Sequence, residues 1–327
     1  MTAPSPSANT RPLLTLSWRG GYDTSQRVLF CGHNYGFFSC CCVLLWNIQE
    51  IQQNGLPLPI RMDFSQGFEP FKNDAQQAAQ ADIYPLLFQP GDTGTNAALP
   101  QLPRINQHGV YRLLPYRRIA PFIERHFRPS ARALEIQQRL VRRYNIDPAK
   151  TLAVVYRGTD KSTEVRLAPA EHYVTLARRL LMLNPTHRLW IQTDEGAVRQ
   201  AFRRAFGERC FYLHEMPVSS NGKVVHQLDE QALQMDRSEF GVLLVAVNSL
   251  LAQCDVVVNH TGNMALWLCL FRGHGRNIWQ FDDEGRAISP HGLALLYGVG
   301  RRFGIKVKRK LLRWLGMLTG SGAGNAS

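Results

Sequence analysis

Residues 152–173 read LAVVYRGTDKSTEVRLAPAEHY. A short apolar run, Leu152 to Val155, leads into Tyr156-Arg157-Gly158-Thr159-Asp160-Lys161-Ser162-Thr163-Glu164, and a helical pattern follows. This is a buried strand ending in a loop loaded with charge and hydroxyls. In an open α/β sheet such a loop lies at the carboxyl end of the strand, where ligands bind. Arg157 and Lys161 suit phosphate, Thr159 and Thr163 supply hydrogen bonds, and Glu164 suits proton transfer. The same composition also suits an ordinary solvated loop, so the surrounding chain has to decide.

The second half of the chain alternates between strand and helix. The pattern predicts a helix over 170–183, with Tyr173, Leu176, Ala177, Leu180 and Leu181 on one face. A strand over 188–192 ends in Thr193-Asp194-Glu195, and a helix over 196–206 and a strand over 210–213 come next. After a polar loop, an apolar helix is expected over 240–252. A strand over 255–259 ends in His260-Thr261-Gly262-Asn263 and opens a last helix over 264–271. Such alternation reads as a doubly wound, Rossmann-like sheet. Its three polar strand ends, 157–164, 193–195 and 259–263, then share one edge.

The first half opens with a strand over 27–31 and the loop Gly32-His33-Asn34-Tyr35-Gly36-Phe37-Phe38-Ser39. A helix over 40–53 follows, with Leu44, Ile48 and Ile51 on its apolar face and Asn54-Gly55 as its stop; the next strand is 59–64. The loop carries neither G-x-G-x-x-G nor a Walker lysine. It reads instead as an acceptor-side lining in which His33, Asn34 and Tyr35 offer hydrogen bonds to a sugar. Residues 65–118 show no strong periodicity, and 120–145 turn helical with a break at Pro129-Ser130. The expected organisation is a tail over 1–25, a Rossmann-like acceptor-side domain over 26–147, a Rossmann-like nucleotide-sugar domain over 148–295, and a basic helix with a flexible end over 296–327. Two such α/β halves facing a cleft make a GT-B-like fold.

Composition sets the bounds. The 327 residues are 45% hydrophobic and 19% charged, which suits a globular protein rather than a disordered one. The formal charge of +13 favours polyanionic partners. Much of it is local, since Arg301, Arg302, Lys306, Lys308, Arg309, Lys310 and Arg313 fall in one C-terminal window without an acid. Residues 303–318 form a basic amphipathic pattern that would either lie on an anionic membrane or pack back on the protein. The seven cysteines include three in a row, Cys40 to Cys42, and no C-x-x-C pair, so buried reduced thiols are expected rather than a metal cage. No apolar run is long enough to span a membrane, and no secretory pattern opens the chain. A cytoplasmic protein is expected, peripheral to the membrane if the basic segment binds there.

The stretch Val155-Tyr156-Arg157-Gly158-Thr159-Asp160-Lys161, then Glu164, with Ala170-Glu171-His172-Tyr173 downstream, resembles the donor-site motif of the fucosyltransferase superfamily. That superfamily includes α-1,6-fucosyltransferases, rhizobial chitooligosaccharide fucosyltransferases and protein O-fucosyltransferases. The α-1,6 pattern is His-x-Arg-Arg-x-Asp-Lys followed by a glutamate. Thr193-Asp194-Glu195 resembles its Thr-Asp-Asp, and the 255–263 stretch resembles the loop that closes its donor pocket. The resemblance covers about residues 149–275. Val155 stands in place of the family histidine and Gly158 in place of the second arginine, and one residue fewer separates Lys161 from Glu164.

The resemblance implies GDP-fucose as donor, inversion at the anomeric carbon, and no required metal or cofactor. Arg157 would hold the β-phosphate, Lys161 would add charge, and Glu164 would stand at the general base. Tyr173, Asp194, Thr261 and Gly262 would line the nucleotide or brace its loop, with Asp160, His260 and Asn263 completing the donor side. Asp160 also suits bracing of its basic neighbours, Asp194 a helix cap, and His260 an ordinary loop histidine. A guanidinium fixed at a strand end stabilises the charge that develops on departing GDP. The acceptor hydroxyl needs one base. The acceptor would be a glycan or a lipid-linked saccharide. Two alternatives stay open: transfer from another nucleotide sugar, or non-catalytic binding of a polyanion, although no nucleic-acid motif is visible.

Overall fold

A computed structural model describes residues 13–91, 99–158, 166–219, 225–291 and 294–295. In the first half, β1 (Leu14–Leu16), β2 (Gly20–Asp23) and β3 (Val28–Cys31) precede α1 (Phe37–Gln53) and β4 (Arg61–Asp63). Next come α2 (Asp74–Ala78), α3 (Tyr84–Leu87), β5 (Phe88–Gln89), α4 (Tyr116–His126), β6 (Arg128–Pro129) and α5 (Ala131–Tyr144). The second half runs β7 (Thr151–Tyr156), α6 (Ala170–Leu183), β8 (Arg188–Thr193), α7 (Gly196–Phe206), β9 (Cys210–Phe211), α8 (Glu230–Leu233) and α9 (Arg237–Leu251). It closes with β10 (Val256–His260), α10 (Asn263–Arg272), β11 (Ile278–Phe281), β12 (Ala287–Ile288) and β13 (Ala294–Leu295).

The large sheet has the order β13-β12-β11-β10-β7-β8-β9. Strands β11, β10, β7, β8 and β9 are parallel, and β12 and β13 add an antiparallel edge. β7 is buried at every residue, as a central parallel strand covered on both faces must be. Its side chains alternate between two cores. Leu152, Val154 and Tyr156 join the layer under α6 and α7. Ala153 and Val155 face the layer built from α1, α5, α9 and α10.

The N-terminal half departs from the expected Rossmann-like domain. Its sheet, β1-β2-β3-β4, has only one parallel pair, β3 with β4 across α1; β1, β2 and β3 are antiparallel. The tail expected over 1–25 is likewise corrected over 14–23, which form β1 and β2. Leu16 and Tyr22 are buried there and anchor the hairpin to the core. Gly20, Gly21 and Tyr22 read as a strand because Tyr22 alternates inward while the glycines pass close to Asn47 and Leu13.

One continuous core joins the halves, from Leu16 and Leu29 to Trp267 and Ile278. α5 lies on the N-terminal side of the expected 147/148 boundary, yet it packs against α9 from the C-terminal side. α1 sits between the small sheet and α10 and is buried nearly all round, which is why its three consecutive cysteines can all be core residues with free thiols. Among the described residues no helix is long and apolar enough to cross a membrane.

Candidate functional site

Several elements end at one cavity of about 390 Å³. Strands β7 and β8 pair in register up to Tyr156 and Thr193, so Arg157 and Asp194, the next residues, emerge side by side. Arg157 Nε lies 3.6 Å from Asp194 Oδ2; the side chains are 25% and 9% exposed. Both line the cavity, as do Gln192 and Thr193. Asp194 is held from behind: its carbonyl accepts from Ser219 N–H at 2.8 Å. Arg199 donates to the carbonyls of Thr193 at 3.1 Å and Met216 at 2.8 Å, tying the end of β8 to the 213–217 turn.

Across the cavity lie the first turns of two helices. α1 is capped by Gly36 and α10 by Gly262, and neither cap makes a side-chain hydrogen bond. Phe37, Phe38 and Ser39 of α1, and Asn263 and Met264 of α10, line the space. A helix N-terminus presents backbone N–H groups and the positive end of the helix dipole, both of which favour an anion. The two turns are locked together: Cys42 Sγ donates to Asn263 Oδ1 at 3.4 Å and accepts from Trp267 Nε1 at 3.2 Å. Phe71, Phe240 and Leu244 give the cavity an apolar wall.

The Gly262 turn is braced by a residue far away in sequence. Fully buried Tyr111 accepts from the Gly262 N–H at 2.8 Å and shares its own proton between the carbonyls of Gln107 at 2.6 Å and Gly262 at 3.0 Å. Gln280 accepts from the Tyr111 N–H at 2.9 Å and donates to Gly109 O at 2.9 Å and to Thr261 Oγ1 at 3.2 Å. Gly262 has φ +148°, a region that favours glycine.

The expected site residues fall into three groups. Arg157, Asp194, Asn263 and Tyr35 meet at the cavity. Asp160, Lys161 and Glu164 lie outside the described residues, as does the basic segment 303–318. The rest stand behind the site or away from it. Tyr173 is wholly buried on the opposite face of the sheet, its ring 4.1 Å from Phe281 and 5.1 Å from Tyr156, so it is a core residue rather than a nucleotide contact. His260 and Thr261 are buried and bond locally, His260 Nδ1 to Thr261 O at 2.5 Å and Thr261 Oγ1 to Phe281 O at 3.2 Å. They and Gly262 shape the turn without lining the cavity. Asn34 accepts from the Glu69 N–H at 3.2 Å, a loop brace. His33 stands behind Ser39, with Nε2 3.2 Å from Ser39 Oγ.

Gly158 has a local reason. A Cβ built there would fall 1.4 Å from Glu195 Oε1, so a side chain at 158 would have to displace the Glu195 carboxylate. Burial, and then the neighbouring Asp194 charge, hold the Glu195 carboxyl above its ordinary range. Ser39 and the helix starts at 37 and 263 were missed in the sequence. The only signal was a glycine before each apolar run, and the helix over 40–53 in fact begins three residues earlier.

Among the described residues no three His, Cys, Asp or Glu side chains gather closely enough to hold a metal ion. No family model matches the chain, and no curated protein does. Solved structures do match. The crystal structure of the fucosyltransferase NodZ from Bradyrhizobium aligns at 14% identity and a TM-score of 0.43, over 80% of this chain and 97% of that one. NodZ α-1,6-fucosyltransferase soaked with GDP-fucose aligns at 14% identity and 0.44, over 80% and 98%. The same enzyme co-crystallised with GDP aligns at 15% and 0.42, over 80% and 97%.

Proposed function

We propose that this chain is an inverting, metal-independent glycosyltransferase that takes fucose from GDP-fucose and passes it to a hydroxyl of a glycan or lipid-linked saccharide. One observation carries the reading. Arg157, steadied by Asp194 at the ends of two paired parallel strands, shares a cavity of about 390 Å³ with the first turns of α1 and α10. That cavity offers a diphosphate one fixed guanidinium and two sets of helix N–H groups.

In this reading the diphosphate lies between Arg157 and the start of α10. Arg157 neutralises the charge that grows on the β-phosphate as the bond to the sugar breaks, and being already in place it needs no reorganisation. Lys161 adds charge, as the sequence resemblance implies, and a single base takes the proton of the acceptor hydroxyl. Tyr35 is 54% exposed at the rim and offers a ring face to the acceptor sugar. The two halves act as the two sides of a GT-B-like cleft. The working site is cytoplasmic, with residues 303–318 as a contact to an anionic membrane surface.

A thermal-shift panel with GDP, UDP, CDP and ADP tests the donor. Preferential stabilisation by GDP is expected. Preferential stabilisation by UDP would point to another nucleotide sugar, and stabilisation by none would refute the reading.

A further inference from the structure

Ser39 is the third residue of α1 and lines the cavity, and its hydroxyl is the group there with a titratable partner behind it. His33 Nε2 lies 3.2 Å from Ser39 Oγ. The histidine is fixed from several sides. Its carbonyl accepts from the Phe68 N–H at 3.1 Å and from the Cys40 thiol at 3.2 Å. Its ring packs 4.8 Å from the Tyr35 ring, and the Arg19 guanidinium lies over the Tyr35 ring, 5.7 Å from its centroid. His33 Nδ1 is buried and has no hydrogen-bond partner among the described residues. The pair therefore links the cavity wall to a ring nitrogen one step behind it.

We infer that Ser39 and His33 form the proton exit of the transfer step, the acceptor hydroxyl giving its proton to Ser39 Oγ as Ser39 gives its own to His33 Nε2. The inference rests on the glycosyl-transfer reading above. The acceptor oxygen, relieved of its proton, uses an electron pair to bond the anomeric carbon. The bond from that carbon to the β-phosphate oxygen breaks, and its electron pair leaves with GDP. His33 ends as an imidazolium and returns the proton to solvent. Burial, and then the nearby Arg19 charge, hold His33 below the ordinary histidine range, so at neutral pH it is uncharged and able to accept. The relay takes the part that Glu164 holds in the related motif, where this chain has one residue fewer between Lys161 and the glutamate.

The test compares wild type with His33→Gln, Ser39→Ala, the double variant and Glu164→Gln. GDP release from GDP-fucose is followed with water alone and with a pool of oligosaccharides. Glutamine keeps a hydrogen-bonding group toward Ser39 but takes no proton. His33→Gln is expected to lower kcat about 100-fold or more, the usual worth of a positioned base. The KM for GDP-fucose, the Kd for GDP and the melting temperature should stay near wild type. The double variant should be no slower than the slower single one, because the two residues act in series. The wild-type acid limb, with its midpoint below the ordinary histidine value, should vanish in His33→Gln. Full turnover by His33→Gln, a retained acid limb, or a large loss in Glu164→Gln alone would overturn the relay while leaving the donor reading intact. A wild-type protein that neither binds GDP nor releases it from GDP-fucose would overturn both.

Discussion

Replacing Arg157 with alanine does more than remove one cation. At 3.6 Å, an opposite pair at the effective dielectric of a partly exposed site attracts by roughly 4 to 5 kcal/mol before desolvation is subtracted, so in the native site Arg157 largely masks the charge of Asp194. Without the guanidinium, a diphosphate meets the Asp194 carboxylate without the Arg157 charge between them, and also loses a charge-assisted hydrogen bond worth about 1.5 to 3 kcal/mol. The combined loss should be about 3 kcal/mol, roughly 100-fold in the Kd for GDP. Adding Asp194→Asn to Arg157→Ala should restore part of that loss, because it removes the repulsion but not the missing bond. Titration calorimetry of GDP with wild type and the single and double variants reads all of this. The gap between wild type and Arg157→Ala should narrow at high salt. Binding by Arg157→Ala within threefold of wild type, or a double variant weaker than the single one, would refute the electrostatic argument.

The brace on the Gly262 turn predicts that Tyr111→Phe lowers stability by about 1 to 3 kcal/mol, the cost of leaving the buried Gly262 N–H without its acceptor; urea unfolding measures it. The same variant should weaken GDP binding, since it frees the start of α10. Gly262→Ala should cost about 1 to 3 kcal/mol in the same assay, from the positive φ alone. His126 is buried, and burial pushes its pKa down to about 3 in the folded chain, against roughly 6.5 unfolded. Between those values the unfolded state binds the extra proton. Stability should therefore rise with pH through the window from 3 to 6.5, by up to about 1.4 kcal/mol per unit, and be lost as pH falls. His126→Leu should flatten that slope by about one proton; an unchanged slope would refute the assignment.

Much of the second half was legible because strand and helix periods do not depend on distant partners. The helices at 170–183 and 196–206 stand where their apolar spacing and flanking residues put them, and β7 reads as a run apolar enough to be buried on both faces. Arg157 and Asp194 were legible for the same reason: a parallel sheet sends consecutive strand ends to one edge, whatever else the chain does. The first half was harder. The hairpin of β1 and β2 carries only Leu16 and Tyr22 as deeply buried anchors, too few for period-two alternation to stand out from a polar tail. Tyr173 carries a nucleotide role only through the family resemblance, while its apolar spacing in 170–183 already puts it on the inner face of the helix. That face of α6 turns it toward the core.

By itself, then, the sequence determined the doubly wound sheet, the charged edge where Arg157 and Asp194 emerge, and the apolar character of α1. Those follow from local spacing and hydrophobic pattern. Only the tertiary structure decided what faces that edge. Tyr111 meets Gly262 across 151 positions, Cys42 meets Asn263 across 221, and Ser39 shares a cavity with Arg157. The Cys42–Asn263 contact arises when two helices, each unable to bury its apolar surface alone, pack against one another; the others bring a loop or a strand end to a helix start. Packing of that kind depends on the fit between surfaces, which no single stretch of the chain encodes.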